Sequence, residues 1–301
     1  MNAVRIENVH KSFGALRAVA GVSITVPQGV ICGFLGPNGA GKTTLIRMVM
    51  DIIRPDSGHI TLLGNVAPGH AKDRVGYLPE ERGLYKKMTV RQILTYLGQL
   101  KNMRRTAVNA AVTAGLDRLG LANWIDRRVE ELSKGMQQKV QFLAATINDP
   151  ELVILDEPFA GLDPINLDVI KSLMIEMRAN GRTVVFSTHM MEQAERLCDV
   201  LILVNKGVVV FDGVLDQLQA QFPSNSVMVE TDDGAEFVAT FPEVFSVERQ
   251  NDRALLVTLR DGADSQTLLR KLAAQMRLSR FEVRKPSLHE IFVRLVGTAD
   301  E

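Results

Sequence analysis

Cysteine is scarce, with only Cys32 and Cys198 in a chain of 301 residues. Each stands beside apolar neighbours and neither has a metal-ligand partner at close spacing. That excludes a disulfide framework and points to buried thiols in a reducing compartment. No sign of charge prevails either, since 35 basic side chains face 35 acidic ones. Without a global positive field, recruitment of nucleic acid or anionic lipid would need a specific site, and a nucleic-acid partner is not expected. Nor does any stretch approach the roughly 18 uninterrupted apolar residues of a membrane span, so a membrane role would require a spanning partner. Low-complexity tracts and solenoid repeats are missing as well. The opening Met1-Asn2-Ala3-Val4-Arg5-Ile6-Glu7 alternates apolar and polar residues and reads as a strand, with none of the pattern of a signal peptide.

What the chain does have is length for one full-sized core and a smaller second unit. Short apolar runs recur between helical patterns, at Val30–Leu35, Leu152–Leu155, Thr183–Phe186 and Val200–Val204. Continuous apolar strands imply a sheet covered on both faces, the mark of an α/β fold. From about residue 89 to 148 these runs stop and helical spacing takes over, as in Val90, Ile93, Leu94, Leu97 and Leu100, which predicts a helical subdomain inserted into the core. A first domain is expected over residues 1–218 and a second over 225–301. The second opens through Phe222-Pro223-Ser224-Asn225 into a predicted hairpin, with Val227 and Val229 on one strand, Asp232-Asp233-Gly234 at the turn and Phe237 and Ala239 on the other. Strands over 245–248 and 254–259, a helix over 265–276, a strand over 279–284 and a last helix complete a small α+β unit. Ser287 and Glu290 form a capping box for that helix, whose Leu288, Ile291, Phe292 and Leu295 make one stripe.

Chemistry concentrates in two places. Gly36-Pro37-Asn38-Gly39-Ala40-Gly41-Lys42-Thr43 matches the phosphate-binding pattern G-x-x-x-x-G-K-[ST] and directly follows the strand ending at Leu35. Its glycines, with Asn38 between them, let backbone N–H groups converge on a β-phosphate at a helix start. Lys42 would bridge the β- and γ-phosphates, Thr43 would offer its hydroxyl to Mg²⁺ and Thr44 would lie toward the α-phosphate. The second place is Leu152-Val153-Ile154-Leu155-Asp156-Glu157, an apolar strand ending in two acids at the sheet edge where such folds bind ligands. Asp156 suits Mg²⁺, directly or through water, and Glu157 suits alignment and deprotonation of an attacking water.

Between these two lies Leu132-Ser133-Lys134-Gly135-Met136, followed by Gln137-Gln138-Lys139, where Ser133 is a good N-cap and Gly135 exposes backbone N–H groups. In this order the segments resemble the ATPase subunits of ABC transporters over approximately residues 4–215. The resemblance implies a P-loop NTPase core with its helical subdomain, ATP and Mg²⁺ as ligands, and ATP hydrolysis. It implies a head-to-tail pair, a homodimer being expected, in which Ser133 and Gly135 of one subunit reach the γ-phosphate held by Lys42 of the other. It further implies that Asp163 in Gly161-Leu162-Asp163 lies at the dimer seam, that His189 contacts the γ-phosphate and orients Glu157, and that Phe13 stacks on adenine. For Phe13 a place in the core stays open. The signature departs from the common Leu-Ser-Gly-Gly-Gln at Lys134 and Met136, and Glu80 stands where the family has a glutamine touching Mg²⁺ and water.

Residues from about 225 onward resemble the extension on ATPases of the ABC-2-type export group, through Pro286-Ser287-Leu288-His289-Glu290-Ile291-Phe292 and Leu78-Pro79-Glu80-Glu81-Arg82-Gly83-Leu84. Export through a separate membrane permease is the implied role, with the chain cytoplasmic and peripheral on the inner face of the membrane. The extension is expected to pair subunits or regulate turnover. Three rivals carry different expectations: a non-transport ABC ATPase would have two cassettes or a long coiled-coil insertion, a degenerate subunit would not turn over ATP, and a GTPase would complete Asn205-Lys206 with an aspartate where Val208 stands.

Overall fold

Alternation over the first residues becomes a long strand, β1 (Asn2–Phe13), that buries Val4, Ile6 and Val9 and pairs antiparallel with β2 (Leu16–Pro27). Then come β3 (Ile31–Leu35), α1 (Lys42–Val49), β4 (Ser57–Leu62), β5 (Val75–Leu78), α2 (Val90–Leu100), α3 (Arg105–Arg118) and α4 (Lys134–Thr146). The sequence continues through β6 (Leu152–Asp156), α5 (Pro164–Ala179), β7 (Thr183–Thr188), α6 (Met191–Leu197), β8 (Val200–Asn205) and β9 (Val208–Gly213). This computed structural model describes residues 1–81, 83–222, 225–231, 236–260 and 262–297. The chain divides into two units, Met1–Leu215 and Asp216–Glu301.

In the first unit six strands lie in the order β5-β6-β7-β3-β8-β9, all parallel except for the antiparallel pairing of β9 with β8. Every residue of β3, β6 and β7 is buried, which is why these strands read as unbroken apolar runs. A second, antiparallel sheet has the order β2-β1-β4 and packs its buried face into the same core as β3 and α1. The helices α2, α3 and α4 form a separate cluster around Leu94, Val112, Leu116 and Val140. The helices span residues 90–146, but Leu100, the last apolar position of the α2 spacing, is exposed and not part of this cluster.

The second unit contains α7 (Leu215–Gln221) from Asp216 onward, β10 (Ser226–Thr231), β11 (Val244–Arg249), β12 (Ala254–Leu259), α8 (Ser265–Gln275), β13 (Leu278–Val283) and α9 (Leu288–Gly297). Its sheet has the order β11-β12-β10-β13 and is antiparallel, with Leu268 and Leu272 of α8 packed on Val227, Val229 and Val257. The predicted hairpin is corrected here. Residues 236–240 form a short 3-10 helix, and β10 pairs instead with β12 and β13. Phe237 and Phe241 sit four apart and meet edge to face at 5.9 Å, with Val238 buried beneath, a spacing that only a helical turn satisfies. The expected turn at Asp232-Asp233-Gly234, the Pro223-Ser224 step and Arg82 of the Leu78–Leu84 stretch lie outside the described residues. The capping box of the last helix is present, with Ser287 N–H donating to Glu290 Oε2 at 2.7 Å and Glu290 N–H to Ser287 Oγ at 3.2 Å.

Candidate nucleotide site

The loop after β3 returns the chain sharply into α1, and backbone geometry demands glycine there. Gly41 has φ +103°, and a Cβ on it would fall 2.4 Å from the carbonyl oxygen of Ala18. Gly41 also caps α1 without offering a side chain to the first-turn N–H groups, which leaves them for an anion. Lys42, 6% exposed, donates to the carbonyls of Gly36 at 2.7 Å and Pro37 at 3.0 Å. Burial pushes its ammonium below the ordinary lysine pKa, while Glu157, Asp156 and Glu80 partly hold it up. The loop thus keeps its cation folded back on itself, ready to exchange two carbonyl partners for phosphate oxygens.

Opposite this loop, β6 ends in Asp156, and Glu157 follows it directly. Asp156 Oδ1 accepts from Ser187 Oγ at 2.5 Å and from Thr43 Oγ1 at 3.3 Å. Its Oδ2 is buried and has no hydrogen-bond partner among the described residues. Glu157 adopts φ +50°, rare for a residue with a side chain, and its N–H donates to Ser187 Oγ at 3.0 Å. That backbone turn brings its Oε1 to 4.0 Å from Lys42 Nζ and 3.1 Å from His189 Nδ1. A buried carboxylate, a buried cation and a half-exposed imidazole therefore converge.

A cavity of about 500 Å³ spans this ground. Among the residues singled out in the sequence, Phe13, Asn38, Gly39, Gly41, Lys42, Thr43, Thr44, Glu80 and Glu157 line it. Phe13 is 48% exposed, so it is not a core residue, and Lys11 Nζ lies 5.7 Å from its ring centre. Glu80 is exposed at the end of the β5 segment, which Gln141 of α4 pins by donating to the carbonyls of Pro79 at 3.2 Å and Glu81 at 3.1 Å. Gly36 contributes its carbonyl to Lys42 and does not line the cavity.

Three singled-out residues lie elsewhere in the chain. Ser133 caps α4, accepting from Met136 N–H at 3.3 Å, and is exposed. Gly135 is the second residue of α4, with Asn166 Nδ2 3.2 Å from where its Cβ would be. Asp163 caps α5 and accepts from the Asn166 backbone at 2.9 Å and from the Asn166 amide, bonds that hold its carboxyl below the usual range. None of the three lines the cavity.

Sequence reasoning passed over Arg17 and Ser187, and weighed Lys206 only as part of an incomplete guanine motif. Arg17 and Lys206 line the cavity, and Lys206 sits with φ +47° in the turn between β8 and β9. Asn205 is buried and outside the cavity, so that turn does not build a guanine reader. For Ser187 the one available signal was its place on β7 two residues before His189.

Residues 19–160 match the ABC transporter family, and residues 213–296 match the C-terminal domain of DrrA1-3-like ATP-binding proteins. An uncharacterized ABC transporter ATP-binding protein of Bacillus subtilis, YhaQ, is 38% identical over 296 residues, covering 98% of this chain and 99% of that protein. This chain belongs to the ABC transporter ATP-binding proteins. The Nod factor export ATP-binding protein I of Burkholderia lata is 33% identical, over 98% of this ABC protein and 97% of its own length. Among solved structures, an ATP-binding subunit of an ABC transporter superposes with a TM-score of 0.69 at 29% identity, covering 73% of this chain and 93% of that one. The ABC subunit is accordingly an ATPase of the P-loop class serving a transporter. Such subunits generally pair with membrane permease components. Among the described residues no helix is long and apolar enough to cross a membrane.

Mg²⁺ fits the residues present. Among the described residues no three His, Cys, Asp or Glu side chains could hold a metal by themselves. The unpartnered Asp156 Oδ2, with the Thr43 hydroxyl beside the same carboxylate, suits a hard cation that completes its shell with water and phosphate oxygens.

Proposed function

We propose that this subunit hydrolyses Mg-ATP at an interface between two copies of itself and drives a separate export permease from the cytoplasmic face of the membrane. The observation that carries it is that Lys42, Thr43 and Glu157 line one cavity, with Asp156 bonded to Thr43 and His189 to Glu157 just behind them, while the closing residues, Ser133 and Gly135, stand outside it. In this reading residues 1–218 are the ATP-binding domain and residues 225–301 an accessory domain.

Phe13 stacks on adenine, a contact contributing on the order of 1 kcal/mol. Lys42 and the loop N–H groups from Gly36 to Thr44 grip the phosphates, with Asn38, Gly39 and Gly41 shaping the loop. Thr43, Asp156 and Glu80 hold Mg²⁺, which neutralises charge on the phosphate oxygens when bound. Glu157 takes the proton of the attacking water, and His189 holds the Glu157 carboxylate in place at 3.1 Å. Ser133 and Gly135 of the second copy close over the γ-phosphate, and Asp163 lies at the seam. ATP is then a ligand between subunits, and its hydrolysis releases them, so phosphate chemistry becomes motion. Export is favoured by the likeness to the Nod factor export ATP-binding protein I.

The test measures ATP turnover, ATP affinity and nucleotide-driven association for the subunit with its permease. Glu157→Gln should lose about 100-fold or more in kcat while still binding ATP and associating. Lys42→Ala should lose affinity and association together. Retention of both in Lys42→Ala overturns the reading.

A further inference from the structure

Ser187 is fully buried in β7, and its one hydroxyl group touches both acids at the end of β6. The Oγ–H donates to Asp156 Oδ1 at 2.5 Å, and the same oxygen accepts the Glu157 N–H at 3.0 Å. A hydroxyl offers one donor and two lone pairs, so both bonds can exist at once. Two consequences follow from their geometry. Asp156 Oδ1 is occupied and its carboxylate plane held, which leaves Oδ2 as the buried oxygen with no partner among the described residues. The Glu157 backbone, meanwhile, is secured at φ +50°, a conformation disfavoured for a residue with a side chain, and this turn is what sets Oε1 near Lys42 and His189.

We propose that Ser187 is a positioning residue for hydrolysis, orienting the Mg²⁺-side carboxylate and the water-activating carboxylate through a single shared hydroxyl. It touches neither nucleotide nor metal and acts through Asp156 and Glu157, so the proposal rests on the roles assigned to those two residues above. The coupling is geometric: when β6 and β7 keep register, both acids are placed together, and when the hydroxyl is removed Glu157 loses its backbone bond to Ser187 and Asp156 keeps only the longer bond from Thr43. Parallel pairing puts Asp156 directly against Ser187, so the neighbour is fixed by the sheet. Thr188 adds a separate restraint on the turn that carries His189, its Oγ1 accepting Met190 N–H at 3.0 Å, and is independent of the bridge.

The test compares wild type, Ser187→Ala, Ser187→Cys and Glu157→Gln in the complex with the permease. Cysteine nearly preserves the volume but is a weak donor, so it separates the hydroxyl from packing. Both Ser187 variants should lose about 10–100-fold in kcat with KM for ATP within about threefold of wild type. Binding of a fluorescent ATP analogue supplies a readout apart from turnover. Affinity without metal should stay within about twofold, while the tightening on adding Mg²⁺ should shrink about tenfold. If the alanine variant unfolds, the cysteine variant decides. Wild-type kcat and wild-type Mg²⁺ tightening in the folded cysteine variant overturn the proposal, as does loss of cooperative unfolding in both, which would assign Ser187 to folding alone. Should Glu157→Gln turn over at the wild-type rate, the assignment of Glu157 fails instead.

Discussion

Lys42 shows how a single residue can be prepared for an anion by burial. Nearly all of its surface is covered, and among the described residues its ammonium meets two carbonyls and a carboxylate at 4.0 Å, so desolvation lowers its pKa. A triphosphate brings negative charge to the same place and should raise that pKa again. Binding then takes up a proton between the depressed free value and the higher bound value. ATP affinity should therefore weaken as pH rises through that window, by at most about tenfold per pH unit for one proton. A titration of ATP affinity from neutral to alkaline pH checks this, and a flat profile would contradict it. At this scale the loop, the two acids and their intended chemistry were readable from the sequence because their spacing is local. Ser187 was not, because a serine on a buried strand has no local pattern and acquires its partners only when β6 and β7 pair.

Among the elements, α4 links several parts of the site. It begins at Ser133, its Gln138 donates to the Pro158 carbonyl at 3.2 Å just beyond Glu157, and its Gln141 holds the segment around Glu80. One rigid helix thus links the proposed trans-acting tip to both loops of its own site. The helix α2 depends on a reciprocal cap, in which Thr89 Oγ1 accepts from Gln92 N–H at 3.2 Å and Gln92 Oε1 accepts from Thr89 N–H at 2.9 Å. Thr89→Ala should cost about 1 kcal/mol of stability, read as a shift in the denaturant midpoint at unchanged slope. Strands covered on both faces were legible as apolar runs, and the helical insertion as a change of period. The strands β2 and β4 were not picked out; β4 joins β1 only through a register distant along the chain, whereas β2 turns straight back from β1, Phe13 facing Leu16. The segment at 236–240 misled, because apolar residues at Phe237 and Ala239 fit a period of two until Phe241 is found packed on Phe237.

At the scale of the molecule, each unit has its own apolar cluster: Val4, Leu45 and Ile154 belong to the first, Val229, Val257 and Leu272 to the second. Calorimetry should accordingly resolve two unfolding transitions. Mg-ATP should raise only the one belonging to residues 1–215, since a ligand stabilises the unit that binds it. Leu272→Ala should lower the other, by about 2–5 kcal/mol. A single transition raised as a whole by Mg-ATP would refute this. The sequence by itself determined the family, the P-loop core with its inserted helices and the ATPase class, because phosphate binding and strand burial leave signals between near neighbours along the chain. Only the tertiary structure decided which oxygen of Asp156 is left without a partner, how Glu157 turns toward Lys42 and His189, and that Ser133 and Gly135 stand away from the cavity. Those are relations between strands and helices far apart in sequence, and packing alone brings them to hydrogen-bond range or keeps them from it.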